Sequence, residues 1–132
     1  FETATNWSRI DEQMAQMQDA VKTALADEGE EVMAFTHISH VYKQGASLYT
    51  TYFFRAAKDH ATTLQRWQKI KHAASQSVAN GTATISHQHG VGRDHAPYLA
   101  AEKGKLGIQV TRDMLKSLDP EQRMNPGVLL EE

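Results

Sequence analysis

Two stretches rich in β-branched and aromatic residues lie close together in the first half of the chain. Residues 31–42 and 47–55 are each long enough for a strand, and only Lys43 to Ala46 separates them. A glycine-containing connection of this length is typical of an antiparallel hairpin. Bulky side chains alternate to both faces of the second stretch, so we expect both faces to contact protein or a ligand. The sequence therefore predicts a fold built around an antiparallel sheet.

Amphipathic helical patterns surround this hairpin. Apolar residues recur every three or four positions in residues 5–28, 59–80 and 103–118, which indicates three helices with one apolar face each. A short strand is expected at 82–86, and Pro97 is expected to open a short helix. This order of elements predicts an α+β fold, with a small antiparallel sheet covered by helices.

The apolar stripes of the helices also predict which side chains face the core. In the first helix these are Trp7, Ile10, Met14, Met17, Val21 and Leu25. In the last helix we expect the inward residues to be Leu106, Val110, Met114 or Leu115, and Leu118.

Composition restricts the classes of function. A chain of 132 residues is expected to form a single domain over 1–132, and a net charge of -2 provides no positive surplus for nucleic-acid binding. Because there are no cysteines, disulfides, thiol catalysis and cysteine-zinc sites are excluded. No apolar run is long enough for a transmembrane segment, so we expect a cytoplasmic protein. A start at Phe1 instead of Met suggests an excised piece of a longer chain.

Four of the seven histidines lie near predicted strand ends: His37, His40, His87 and His89. A metal site is one interpretation, but His37 and His40 point to opposite faces of a regular strand, and no acidic residue lies beside the histidines of the loop. Acid–base chemistry between Tyr49 and the loop imidazoles is a second interpretation. A third is that these are buried polar residues satisfied by backbone hydrogen bonds, and the residue types alone favour it.

The glycines after these histidines do not form a nucleotide-binding motif. Gly90-Val91-Gly92 lacks the Lys-Ser/Thr pair of a phosphate loop and the third glycine of a dinucleotide fingerprint. We expect Gly90 to let the backbone approach a flat ligand or a neighbouring domain.

Three motifs follow one another in a recognisable order. They are the strand at 45–53, the stretch 84–99 with Ser-His-Gln-His-Gly-Val-Gly, and the ending 118–130 with Leu-Asp-Pro, Asn-Pro-Gly and two leucines. Together they resemble the C-terminal region of FAD-linked oxidases of the vanillyl-alcohol-oxidase superfamily. The branch that they resemble most is that of alkyldihydroxyacetonephosphate synthase and its bacterial relatives.

The resemblance implies a cap domain that carries catalytic residues close to a flavin. By position, Tyr49 is similar to the catalytic tyrosine of that branch, and His87 and His89 to the outer members of a histidine triplet. Gln88 stands where the branch has the middle histidine. This departure bears on the ether-forming reaction of the synthase, in which the acyl group of acyl-dihydroxyacetone phosphate is exchanged for a fatty alcohol.

The resemblance also implies a cofactor and a partner. His89, Gly90 and Asn125 are the expected cofactor contacts, although for Asn125 we favour the alternative that it simply turns the chain. The cofactor would be FAD, held chiefly by an N-terminal FAD-binding domain of the same chain, and the substrate a small molecule. We therefore expect this piece alone to be inactive and to bind FAD weakly or not at all. A homodimer is an alternative way to cover its apolar surface.

Two other functions stay open at this point. One is a D-lactate or glycolate type FAD dehydrogenase, whose metal ligands would fall partly on Tyr49 and Gln88, so the resemblance assigns no metal ligands here. The other is a non-catalytic binding module derived from the cap. A module that evolved to stand alone would not show a bare hydrophobic patch.

Overall fold

The computed structural model describes residues 1–130 and contains one antiparallel sheet in that range. Its strands are β1 (Glu2–Asn6), β2 (Val32–Val41) and β3 (Gly45–Phe54), with β3 in the middle. The β2–β3 hairpin confirms the prediction from the two β-prone stretches. β1 was not predicted, and it pairs with β3 although the 38 residues 7–44 separate the two strands in the chain.

Four helices and three single 3-10 turns complete the described residues. The helices are α1 (Ile10–Thr23), α2 (His60–Ala79), the short α3 (Gly92–His95) and α4 (Leu99–Leu118). The 3-10 turns span Trp7–Arg9, Ala26–Glu28 and Ala96–Tyr98, the last containing the expected Pro97. The small antiparallel sheet with its helices confirms the predicted α+β class.

The first predicted helix was wrong at its start. Residues 2–6 form a strand because the edge of β3 otherwise has unpaired backbone groups, and ladder hydrogen bonds with β1 satisfy them. The helix therefore begins at Ile10, after the turn that contains the exposed Trp7.

One face of the sheet, the inner face, packs against α1 and α2. Leu48 and Thr50 of β3 are fully buried there, and the Thr50 hydroxyl contacts the sulfur of Met17. Four of the six inward residues predicted for the first helix are buried: Ile10, Met17, Val21 and Leu25, the last just beyond the end of α1. Met14 is only partly buried, and Trp7 is exposed. The second half of α2 adds Ile70, Ala74 and Val78 to the core. The opposite face, the outer face, is left open by these helices.

Residues 82–86 do not form the predicted strand. Within this segment, Thr84 N–H donates to the Ala4 carbonyl of β1 at 2.9 Å, and just beyond it His87 N–H donates to the Glu2 carbonyl at 3.1 Å. Between them, the Ile85 N–H donates to the carboxylate of Glu102. The segment is held firmly against β1 without being a strand.

The apolar stripe of α4 does not face the core as predicted. Leu106, Val110, Met114 and Leu118 are each more than half exposed. The helix is also bent at Gly104, whose positive φ interrupts the helical backbone close to the predicted start of this helix. The periodicity correctly indicated an amphipathic helix, but a helical pattern does not say what covers its apolar face. Among the helices of residues 1–130, none combines the length and apolar character that a bilayer crossing requires.

Candidate functional site

A row of three side chains crosses the outer face of the sheet. Tyr49 of β3 pairs with Glu2 of β1 on one side and with His37 of β2 on the other. Paired residues of antiparallel strands point to the same face, so the three side chains are neighbours. The His37 and Tyr49 rings stack with centroids 5.4 Å apart and an interplanar angle of 27°.

An irregularity in β2 adds a fourth side chain to this face. The register between β2 and β3 shifts between Ile38 and Val41, which is the signature of a β-bulge. Nδ1 of His40 consequently lies 3.3 Å from Oε1 of Glu2, and its backbone N–H donates to the hydroxyl of Ser47. A regular strand would have pointed His40 away from His37, as the sequence predicted.

The loop after residue 86 brings two more imidazoles to the same place. Nδ1 of His87 lies 3.0 Å from Oε1 of Glu2, and Nε2 of His89 lies 3.3 Å from Oε2. The His89 ring meets the Tyr49 ring edge-on, with centroids 5.7 Å apart. The structure thus places Tyr49, His87 and His89 together, although their catalytic roles stay predictions.

Glu2 is the centre of this cluster and is almost completely buried, with 2% of its side chain exposed. Burial alone raises the pKa of the carboxyl group. Hydrogen bonds from Ser47, His87 and His40, together with the charge of His87, outweigh that effect and hold the pKa below its ordinary value. Glu2 is therefore ionised at neutral pH, and hydrogen-bond partners replace the water that burial removes.

The two loop histidines differ in how their nitrogens are engaged. Nε2 of His87 lies 2.8 Å from the hydroxyl of Tyr42, so both of its ring nitrogens have partners, and its side chain is 14% exposed. His89 has a side chain that is 40% exposed. His89 is therefore the more accessible imidazole of the two.

Sequence reasoning missed Glu2 and Tyr42. Glu2 lies 85 residues before His87, so its contact with the loop depends on the pairing of β1 with β3. Glu2, His40 and His87 each offer a ligand atom within 4.8 Å of the others. Carboxylate and imidazole groups are zinc ligands, so the acidic partner that the metal interpretation lacked is present on β1.

Gly90 and Asn125 lie where the chain turns. Gly90 has a φ of +71°, and a Cβ built there would meet nothing within 4 Å, so its backbone conformation is what favours glycine. Asn125 also has a positive φ, and its carbonyl accepts from Val128 N–H. Arg93 donates to the Pro126 carbonyl at 3.1 Å, which joins this tail to the histidine loop. The cofactor roles of both residues stay predictions.

An apolar patch continues the outer face beyond His37 and Tyr49. Met33, Phe35 and Phe53 are each more than half exposed. The two phenylalanine rings meet edge-on with centroids 6.4 Å apart. Exposed aromatic groups beside a polar cluster are typical of a surface that receives a ligand or another domain.

Comparison with known proteins agrees with the motifs. The family model of the C-terminal domain of FAD linked oxidases matches residues 1–129. Alkyldihydroxyacetonephosphate synthase of Trypanosoma brucei brucei is 25% identical over 130 residues, covering 98% of this chain and 21% of that protein. The synthase of Dictyostelium discoideum is 27% identical over 104 residues, covering 79% of this chain and 17% of that protein.

Two further likenesses are more limited. The mitochondrial D-lactate dehydrogenase (cytochrome) of Arabidopsis thaliana is 33% identical over 63 residues, covering 48% of this chain and 11% of that protein. A solved structure of alkyldihydroxyacetonephosphate synthase has the same fold, with a TM-score of 0.54 and 17% identity over 96% of this chain and 19% of that one. The chain spans about a fifth of the length of the synthase relatives. The resemblance seen in the motifs is confirmed, and the chain belongs to the family of C-terminal domains of FAD-linked oxidases.

Proposed function

We propose that this chain is the substrate-facing C-terminal portion of an FAD-dependent oxidoreductase that resembles alkyldihydroxyacetonephosphate synthase. One observation carries the proposal: the Tyr49 ring lies between the imidazoles of His37 and His89 on the open face of the sheet. A phenol flanked by imidazoles is an arrangement suited to proton transfer at a substrate hydroxyl or carbon.

The residues of the outer face fit a flat ring system such as that of a flavin. Met33, Phe35 and Phe53 offer an exposed apolar surface, and the polar groups of Tyr49 and His89 lie next to it. When bound, FAD supplies an acceptor for two electrons. Most contacts with its phosphates would come from an N-terminal FAD-binding domain of the same protein.

In this arrangement the chain's own groups handle the proton. A phenol is protonated near neutral pH and needs a neighbouring acceptor before it can take a proton from a substrate. The His89 imidazole lies against the Tyr49 ring and is accessible enough to serve, while His37 fixes the ring from the other side. An imidazole here can also polarise a substrate oxygen, and His89 is better suited to this than His87, whose two ring nitrogens are engaged by Glu2 and Tyr42.

The alternative of a D-lactate or glycolate type dehydrogenase rests on the D-lactate dehydrogenase likeness, which covers under half of the chain. Tyr49 and Gln88 stand where the resemblance places metal ligands of that branch, and this disfavours the dehydrogenase alternative.

The alternative of a free-standing binding module is disfavoured by exposed apolar side chains on α4 and the outer face. These surfaces fit a domain that packs against a larger protein or a second copy. A cytoplasmic location stays a prediction from the sequence.

The test compares two tyrosines of β3 in the full-length flavoprotein. Tyr49→Phe removes the outer-face hydroxyl and is expected to lower turnover about 100-fold or more, with bound flavin unchanged. Tyr52→Phe is the matched control, because Tyr52 lies on the inner face and is half-buried. Turnover is measured with an acyl-dihydroxyacetone phosphate plus a long-chain alcohol, and separately with D-lactate and glycolate.

Each outcome of this comparison decides something. Loss of turnover in Tyr49→Phe alone supports the proposal, and the productive substrate separates the synthase-like from the dehydrogenase-like function. Equal turnover in both variants and the unmodified protein removes Tyr49 from the mechanism. A flavoprotein inactive with every substrate offered would contradict the proposed function.

A further inference from the structure

We propose that Glu2 is a positioning residue that fixes the tautomers of His87 and His89, so that His89 presents Nδ1 as a free proton acceptor. The inference deepens the proposed function and depends on it for its catalytic meaning. Nothing in the motifs pointed to Glu2, which belongs to the strand that the sequence did not predict.

The two oxygens of the Glu2 carboxylate are divided between the histidines. Oε1 lies 3.0 Å from Nδ1 of His87 and 3.3 Å from Nδ1 of His40. Oε2 lies 3.3 Å from Nε2 of His89. The contacts with His87 and His40 are hydrogen bonds, and the contact with His89 is an ion-pair distance. The carboxylate is shielded from water that could compete for them.

The charge state of the carboxylate dictates which nitrogen carries each proton. An ionised carboxylate oxygen offers only lone pairs, so a ring nitrogen that faces it at 3.0 or 3.3 Å must carry a proton, because two facing lone pairs repel each other. For neutral imidazoles this assigns the proton of His87 to Nδ1 and the proton of His89 to Nε2. The remaining nitrogens are acceptors: Nε2 of His87 accepts from the Tyr42 hydroxyl at 2.8 Å, and Nδ1 of His89 is left with its lone pair.

The two histidines therefore differ in what they can do. His87 is held at both nitrogens, by Glu2 and Tyr42, and its role is to hold the loop and the carboxylate in place. His89 faces the carboxylate with one nitrogen only, and its ring lies against Tyr49. A carboxylate that orients an imidazole in this way is a recurring device for making the other nitrogen a base.

Glu2 also holds the loop through its backbone, because its carbonyl accepts from His87 N–H at 3.1 Å. A test must separate the side-chain role from a simple displacement of the loop. Glu102 provides the matched control: its carboxylate accepts from the Thr84 hydroxyl at 2.9 Å and from Ile85 N–H at 2.8 Å. Glu102→Gln weakens the attachment of the same segment without touching a histidine.

The first measurement is independent of catalysis. Long-range ¹H–¹⁵N spectra of the 132-residue chain at about pH 8, where ordinary imidazoles are neutral, report the tautomer of each histidine. We expect one tautomer for His87 and the opposite one for His89. Glu2→Gln is expected to give averaged tautomers, whereas Glu102→Gln should leave both fixed. Averaged tautomers in the unmodified chain would overturn the proposal.

The second measurement uses the full-length flavoprotein. Glu2→Gln is expected to lower kcat at least about 10-fold with little change in KM or in bound flavin, as loss of an orienting partner does. Glu2→Asp keeps the charge and is expected to recover part of that loss, which a packing defect would not allow. Equal kcat values in Glu2→Gln and Glu102→Gln would overturn the positioning role. A flavoprotein with no activity would refute the proposed function, and the tautomer spectra would still decide the role of Glu2.

Discussion

Replacing Ile85 by alanine is expected to destabilise the chain by about 3–4 kcal/mol. Ile85 is 1% exposed and packs in the same buried cluster as Leu48 and Val78, two residues before His87 in the chain. The substitution removes three carbon atoms. At about 0.8 kcal/mol for each buried carbon, the transfer contribution is about 2.4 kcal/mol, and the cavity left in a packed core accounts for the rest.

The assay is equilibrium urea unfolding of the chain, followed by far-UV circular dichroism and analysed with a common slope. Leu106→Ala is the matched control, because it also removes three carbons but from a side chain that is 76% exposed. We expect it to change the free energy of unfolding by less than about 0.5 kcal/mol. A cost below about 1 kcal/mol for Ile85→Ala, or equal costs for the two variants, would show that the assignment of core and surface is wrong.

Three further predictions concern the strand pairing, the buried carboxylate and the cofactor. Gly45→Ala should destabilise the chain by about 2 kcal/mol or more in the same urea assay. The added Cβ would lie 1.9 Å from the Thr5 carbonyl oxygen and would force β1 away from β3. Unaltered stability would contradict the pairing of these two strands. Because the folded pKa of Glu2 lies below its ordinary 4.5, its contribution to stability is present above that pH and is lost as the pH falls through the lower folded value. Acid titrations should therefore show the unmodified chain losing stability relative to Glu2→Gln below about pH 4.5, and parallel curves there would refute the ionised buried state. Calorimetric titration of the isolated chain with FAD should show no binding at micromolar concentrations, since the chain supplies one face of the site, and micromolar or tighter binding would disprove this.

Features set by short-range pattern were predictable from the sequence. The hairpin follows from two β-prone stretches and a short turn, and the boundaries of α2 are within one residue of the prediction. The acid–base interpretation required Tyr49 to lie near the loop imidazoles, and the rings of Tyr49 and His89 are 5.7 Å apart. The order of those motifs was enough to identify the family.

Errors arose wherever a residue's environment depends on distant parts of the chain. Residues 82–86 have strand-like composition, yet the backbone bonds to β1 come from Thr84 and His87, three residues apart, and reach Ala4 and Glu2, two residues apart, which is not a regular ladder. Leu106 lies on a regular apolar stripe, but a helical pattern does not predict what covers such a stripe. Among the described residues, none buries this one. His40 was expected to point away from His37, and a bulge in β2 reverses it.

The sequence by itself determined the kinds of element, their order and the residue types able to do chemistry, because these depend on side chains a few positions apart. Only the tertiary structure decided that Glu2 lies next to three imidazoles. This arrangement requires β1 to pair with the side of β3 that faces away from β2. That pairing is selected by backbone hydrogen bonding and core packing between residues far apart in the chain. It therefore cannot be predicted from the local sequence pattern. The chemical state of the site follows from the pairing, since a carboxylate removed from water depends on whichever donors the fold brings to it.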